Sequence, residues 1–314
     1  VSRFATIRLF PYSHCRACGF TFANPIPSDE VLGSFYNSPF YNNYKRLEAR
    51  RIARERYFSI SMYTDMRRLA TWLGADRSLT VLDYGCSHGA FLALLRDEFG
   101  FSTVEGLEIS RDSVEFARRH YGLTVASATE ELRQRSYDFV LLFEVIEHLP
   151  NPGALIERIT GLVKPGGCLM ITTPAVDNPF ARYFPSSCPY YGAPIHISLF
   201  TRQALTCLLS RSGFRIERIE FNESPFTINI FEQLAIGLFY DLDFLSPAND
   251  HDSSDLLWVP NAFGRLLGLK PGRSVEGSFG RGLHRVAHKL ARLAGGVPFR
   301  TVNDHLYVMF RKDM

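Results

Sequence analysis

The chain has 314 residues, 46% of them hydrophobic and 21% charged, which fits one large globular domain or two modest ones and excludes a disordered or collagen-like polymer. With 35 Lys plus Arg against 32 Asp plus Glu, the net charge of +3 is too near neutral to mark the whole chain as a nucleic-acid binder. Cys15, Cys18, Cys86, Cys168, Cys188 and Cys207 read as reduced thiols, because disulfide frameworks belong to small secreted domains. No apolar run reaches the roughly 18 residues of a membrane span, and Val1-Ser2-Arg3-Phe4 lacks the apolar core of a signal peptide, so a cytoplasmic protein is expected.

Residues 1 to 44, rich in Tyr, Phe, Asn and Pro, predict turns and short strands rather than helix. Residues 45 to 73 hold few breakers and predict helix, in one or two pieces, with Gly74 as its stop. Strands and helices then alternate: strand 79–83, helix 90–99, strand 102–108, helix 112–121, a short strand 123–126 and strand 137–143. Helix 151–163 follows, closed by Lys164-Pro165-Gly166-Gly167, then strand 168–173, helix 202–212 and strand 214–221. Apolar strands separated by helices predict an α/β, doubly wound and mostly parallel sheet.

Residues 222 to 300 are mixed, with an apolar helix expected over 231–240 and a loop over 241–254. Leu283, Val286, Leu290 and Leu293 recur at helical spacing, with Arg281, Arg285, Lys289 and Arg292 on the other faces. That basic stripe over residues 281–293 fits the solvated face of a packed helix, a membrane surface or an acidic substrate. Residues 305–312 read as a closing strand. The expected organisation is an N-terminal cap over 1–74, a core over 75–221, a helical insertion over 222–300 and a closing strand within 301–314.

The densest motif is Val81-Leu82-Asp83-Tyr84-Gly85-Cys86-Ser87-His88-Gly89, an apolar strand running through two glycines into a helix. Glycines there let the backbone turn sharply and approach a ligand closely. About 20 residues on, the strand through Val104 and Leu107 ends in Glu108, an acid placed to accept hydrogen bonds from ribose hydroxyls. Together these features imply a nucleoside-bearing cofactor. Asp83 at the strand end would repel a pyrophosphate but would hold a cationic amino-acid group.

In Asp83, Gly85, Cys86 and Gly89 the sequence resembles the class I S-adenosylmethionine-dependent methyltransferases, whose loop reads D-x-G-C-G-x-G. Ser87 replaces the middle glycine, which the loop accepts if that position needs no positive φ. The resemblance covers roughly residues 75 to 220. It implies a Rossmann-like, seven-stranded fold, S-adenosylmethionine as cofactor, and Asp83, Gly85, Cys86, Gly89, Glu108, Ile109, Ala128, Thr129, Phe143 and Glu144 as its binding residues. The Glu144-Val145-Ile146-Glu147-His148-Leu149 run is closest to the subgroup with ubiquinone-pathway O-methyltransferases and sugar methyltransferases.

A hydroxyl acceptor needs a base, and His148 and His196 both follow predicted strands at the end where open α/β sheets bind ligands. His196 lies in an aromatic loop with Tyr190 and Tyr191 that resembles the family's element before the next helix, and it is the first candidate for base, with Tyr190 or Tyr191 assisting. His88 is expected to face solvent or the cofactor carboxylate. The Glu147–His148 pair either acts in catalysis or fastens its loop. Acceptors implied by the resemblance are a sugar, glycolipid or nucleotide-linked saccharide hydroxyl, with C-methylation of a keto sugar or a non-catalytic binding module as alternatives. Cys15 and Cys18 have the spacing of half a zinc knuckle, though a closed site needs four ligands. Phe35, Tyr36, Phe40, Tyr41 and Tyr44 would form a lid or pack as core.

Overall fold

The computed structural model describes residues 11–38, 41, 45, 48–50, 52, 60–177, 181, 190–222, 240–243, 257–260 and 305–314. Its strands in chain order are β1 (Tyr12–His14), β2 (Thr21–Ala23), β3 (Thr80–Tyr84), β4 (Thr103–Leu107), β5 (Val125–Ala126) and β6 (Tyr137–Phe143). They continue with β7 (Val163–Pro174), β8 (Ser198–Leu199), β9 (Phe214–Asn222), β10 (Tyr240–Asp243), β11 (Leu257–Pro260) and β12 (His305–Lys312). The chain divides into two compact units. The core unit comprises Tyr44–Thr173, Gln203–Glu220 and Leu306–Met314, and the second unit Val1–Asn43, Pro174–Arg202 and Phe221–His305.

The core unit is built on a seven-stranded sheet of order β5-β4-β3-β6-β7-β12-β9, with β3 paired in parallel to β4 and β6, β4 to β5, and β6 to β7. This is the expected doubly wound, mostly parallel architecture. Val81 and Leu82 on β3 and Val140, Leu141 and Leu142 on β6 have no exposed surface, so consecutive residues are buried on both faces. That is why these strands read as unbroken apolar runs. Helix Ala90–Asp97 is buried from Ala90 through Leu95. Helix Arg111–Tyr121 starts on the Ser110 side chain, which accepts from the Ser113 amide, and stops at Gly122 with φ 65°. Helix Pro152–Leu162 is capped by Asn151 and opens on a proline, where a missing amide costs nothing.

The start of β7 differs from expectation. Lys164-Pro165-Gly166-Gly167 does not lie outside the strand as a closing turn but belongs to β7, whose register jumps from Tyr137 opposite Val163 to Phe139 opposite Cys168. The extra residues bulge, and β12 secures them: Arg311 Nη1 donates to the Gly166 carbonyl at 2.7 Å and Lys312 Nζ to that of Val163 at 2.8 Å. A second surprise is Glu105, buried in the middle of β4. It accepts from the Arg133 amide at 3.0 Å and from Tyr137 Oη at 2.6 Å, a bond that spans β3 from β6.

The second unit holds a three-stranded antiparallel sheet of order β1-β2-β8 and an antiparallel pair of β10 and β11. Residues 1–44 are not free of helix as composition suggested. Asp29–Tyr36 is helical because the Ser28 side chain caps the Val31 amide and Asp29 and Glu30 place negative charge in the first turn. Phe35, Tyr36 and Tyr41 pack mutually with ring centroids 5.0–5.6 Å apart. Phe40 and Tyr44 of the expected lid lie outside the described residues, as do the helix expected over 281–293 and, apart from Tyr240, the one expected over 231–240. Tyr240–Asp243 is strand, where a helix end and a loop were expected. Among the described residues no helix is long and apolar enough to cross a membrane.

Candidate active site

The glycine loop leaves β3 at its carboxyl end and is tied to β4, with the amides of Gly85 and Cys86 both donating to the Leu107 carbonyl at 2.7 and 3.1 Å. Gly85 has φ 87°, and a Cβ there would stand 2.6 Å from Val145 Cγ2, so conformation and space both exclude a side chain. Gly89, φ 76°, caps helix Ala90–Asp97 in the left-handed region. Ser87 also has a positive φ, 48°. The position where the family carries its middle glycine therefore does require left-handed backbone, and serine occupies it with strain. Its Oγ accepts from Lys45 Nζ at 3.0 Å, which helps hold that conformation.

Two acids close on this loop. Asp83 is buried, and among the described residues its carboxylate receives no hydrogen bond. Burial, with the charge of Glu108 added, pushes its carboxyl up to about 7. Glu108 follows β4 and accepts from the Ser87 amide at 3.0 Å with one oxygen and from the Ser110 amide at 2.7 Å with the other. Cys86 is buried beside both acids, and burial with their charges pushes its thiol well above the ordinary range. His88 does not face solvent. It is buried against Phe116, ring centroids 5.1 Å apart, with Nδ1 3.4 Å from Glu48 Oε2. Burial raises the Glu48 carboxyl, but the His88 hydrogen bond and the Lys45 charge outweigh it and hold the group at about 2.

Beside the loop lies a cleft of about 390 Å³ lined by Tyr84, Leu107, Ile109, Ser127, Ala128, Thr129, Glu130 and Arg158. Ile109, Ala128 and Thr129 were expected from the sequence; Tyr84, though inside the glycine motif, was not singled out, and Arg158 was hidden because it comes from helix Pro152–Leu162 far along the chain. Ile109 is 90% exposed, an apolar side chain presented at the cleft edge. Phe143 and Glu144 are on the next strand and do not line this cleft. Phe143 packs on Phe91 at 5.0 Å, and Glu144 is exposed with φ 52°. Glu147 is buried and accepts from Thr173 Oγ1 at 3.0 Å, while His148 is half-buried with Nε2 3.8 Å from Glu147 Oε1.

These residues fit S-adenosylmethionine. The donor-free buried Asp83 suits a cationic amino group, the Glu108 carboxylate a ribose diol, the side-chain-free Gly85 a close backbone approach, and the open cleft a flat heteroaromatic base.

In the second unit, the turn Gly192–His196 is closed by amides of Ile195 and His196 donating to the Gly192 carbonyl at 2.8 and 3.3 Å. His196 Nδ1 lies 3.2 Å from the Tyr190 carbonyl. A carbonyl only accepts, so this bond requires the proton on Nδ1 and, in the neutral ring, leaves the lone pair on Nε2. Tyr191 packs edge-on against Tyr12, ring centroids 5.1 Å apart, and Tyr190 stands 5.5 Å from His305.

Cys15 and Cys18 occupy the β1–β2 turn as free thiols. Hydrogen bonds from the Cys18 and Ala17 amides hold the Cys15 thiol below its usual range. Among the described residues no set of three or more His, Cys, Asp or Glu ligands includes them, so a closed zinc site is not formed by those residues.

The chain matches the methyltransferase domain family over residues 53–219, more than half of its length. It belongs to that family, the class I S-adenosylmethionine-dependent methyltransferases, and S-adenosylmethionine is the cofactor that membership assigns. Two curated relatives are ubiquinone biosynthesis O-methyltransferases. The one from Neisseria meningitidis serogroup C is 33% identical over 107 residues, 31% of this chain and 44% of the relative. The one from Paraburkholderia xenovorans is 36% identical over 115 residues, 33% of this chain and 49% of the relative. The chain thus spans less than half the length of these relatives. The crystal structure of the [4+2]-cyclase SpnF aligns with a TM-score of 0.50 at 14% identity, covering 92% of this chain and 97% of that one, a likeness of fold alone.

Proposed function

We propose that the chain transfers a methyl group from S-adenosylmethionine to a hydroxyl oxygen of a small molecule. The observation that carries this is the pair of acids at the glycine loop, Asp83 without a donor and Glu108 at the next strand end, beside an open cleft. When bound, the sulfonium cofactor supplies the electrophilic methyl. Asp83 would hold its ammonium group, Glu108 its ribose, and Tyr84, Ile109, Ala128 and Thr129 its base. Gly85 and Gly89 would let the loop backbone approach it closely, Cys86 packs against Gly106 of β4, and Phe143 and Glu144 would complete the site from the neighbouring strand end.

His196 is the base. Its Nδ1 proton is committed to the Tyr190 carbonyl, so Nε2 takes the acceptor proton, with Tyr191 assisting and His148 second in line. The curated relatives are named O-methyltransferases, which favours oxygen over carbon as the acceptor atom. Those names concern ubiquinone biosynthesis, and a saccharide acceptor draws no support from them. The test is conversion of S-adenosylmethionine to S-adenosylhomocysteine over a panel of phenolic and saccharide hydroxyl acceptors. An acceptor in the panel should be turned over by wild type and not by His196→Ala; His196→Ala turning over at the wild-type rate would refute the assigned base.

A further inference from the structure

We propose that Tyr12 is a positioning residue for His196, its phenol hydroxyl clamping the turn that carries the imidazole. This rests on the reading of His196 as the base. One oxygen makes both ends of the clamp: Tyr12 Oη donates to the His196 carbonyl at 2.7 Å and accepts from the Ala193 amide at 2.8 Å. A hydroxyl uses its single proton on a carbonyl and a lone pair on an amide, a combination that phenylalanine cannot supply at all.

The two groups it joins are three residues apart on one turn, which is closed from within by the bonds to the Gly192 carbonyl. The Tyr12 ring adds an edge-on contact with Tyr191. Tyr12 is itself held in β1, paired with Ala23 of β2, and β2 pairs with β8 directly after the turn. The Ala23 amide also donates to the Ile197 carbonyl at 2.9 Å, next to His196. The turn is therefore fastened to a sheet rather than left as a loop, and the hydroxyl is the fastening nearest the imidazole backbone. Fixing the carbonyl of His196 fixes the peptide plane from which its side chain leaves. That plane decides whether Nδ1 reaches the Tyr190 carbonyl, 3.2 Å away, and so which ring nitrogen carries the lone pair.

The experiment uses the full chain labelled with ¹⁵N-histidine, in wild-type, Tyr12→Phe and Ser13→Ala forms, with His196→Gln to assign the signal. Nitrogen shifts report the tautomer of His196 at pH 8, and the acceptor found in the hydroxyl panel supplies kcat and KM. Ser13→Ala removes the 2.8 Å bond from Asn24 Nδ2 in the same hairpin and controls for simple loosening of β1. Wild type and Ser13→Ala should show the Nδ1–H tautomer, and Tyr12→Phe a mixture of both. In Tyr12→Phe, kcat should fall about 10- to 100-fold, the cost of a slightly misplaced group. Its KM for S-adenosylmethionine should stay within about twofold of wild type. A wild-type tautomer and kcat in Tyr12→Phe would overturn the proposal while an inactive His196→Gln kept the base reading intact. An equal loss in Ser13→Ala would also overturn it, reducing Tyr12 to a structural contact. Full turnover by His196→Gln would instead bring down the base reading, and with it any role for Tyr12 in the reaction.

Discussion

Replacing Asp83 by asparagine should stabilise the cofactor-free protein while destroying its affinity for the cofactor. Burial and the Glu108 charge raise the Asp83 carboxyl from its ordinary 3.8 to about 7. In the unfolded chain it ionises near 3.8, so between these values the folded state binds more protons and stability falls as pH rises. The cost is absent below about pH 4, grows across the window and is complete above about pH 7, where it amounts to about 4 kcal/mol. An amide in place of the carboxyl would mimic the neutral acid and carry no such cost. Urea denaturation of both proteins without ligand, at pH 5, 6, 7 and 8, measures the difference directly. The advantage of Asp83→Asn should widen steadily from pH 5 to 7 and then level off. A pH-independent difference, or a variant less stable than wild type at pH 8, would refute the reasoning that Asp83 is a desolvated charge waiting for a cation.

Ser87 and Tyr137 allow two further checks. Ser87→Gly and Ser87→Ala both lose the Lys45 hydrogen bond, but only glycine relieves the left-handed backbone at φ 48°. Ser87→Gly should therefore be about 1 kcal/mol more stable than Ser87→Ala in urea melts, and equal stability would contradict the strain. Tyr137→Phe deprives the buried Glu105 carboxylate of its 2.6 Å partner and should cost about 1.5–3 kcal/mol, as for hydrogen bonds to charged groups. A loss under about 0.5 kcal/mol would mean that Glu105 is satisfied without the phenol.

The core sheet was readable because its signal is local. The apolar runs of β3 and β6 are buried on both faces, and β12 covers the residues 305–312 expected from composition. The Asp29–Tyr36 helix was hidden by the aromatic and proline-rich residues around it, although Ser28, Asp29 and Glu30 carried an N-terminal signature. Lys164–Gly167 looked like a turn because lysine, proline and two glycines break structure locally; only Arg311 and Lys312, distant in sequence, hold them in a strand. The glycine loop and Glu108 could be recognised from spacing, but not the φ of Ser87 or the burial of His88, which Glu48 and Phe116 decide. Tyr12 and Arg158 left no trace at all, since each lies beside residues that tertiary structure alone brings near.

The central claim is that the glycine loop and its two acids hold S-adenosylmethionine, and calorimetric titration with S-adenosylhomocysteine at pH 8 tests it most directly. Wild type should bind one equivalent, and Glu108→Ala, which would delete the proposed acceptor for two ribose hydroxyls, should bind at least about 100-fold more weakly. No binding by wild type, or undiminished binding by Glu108→Ala, would contradict it.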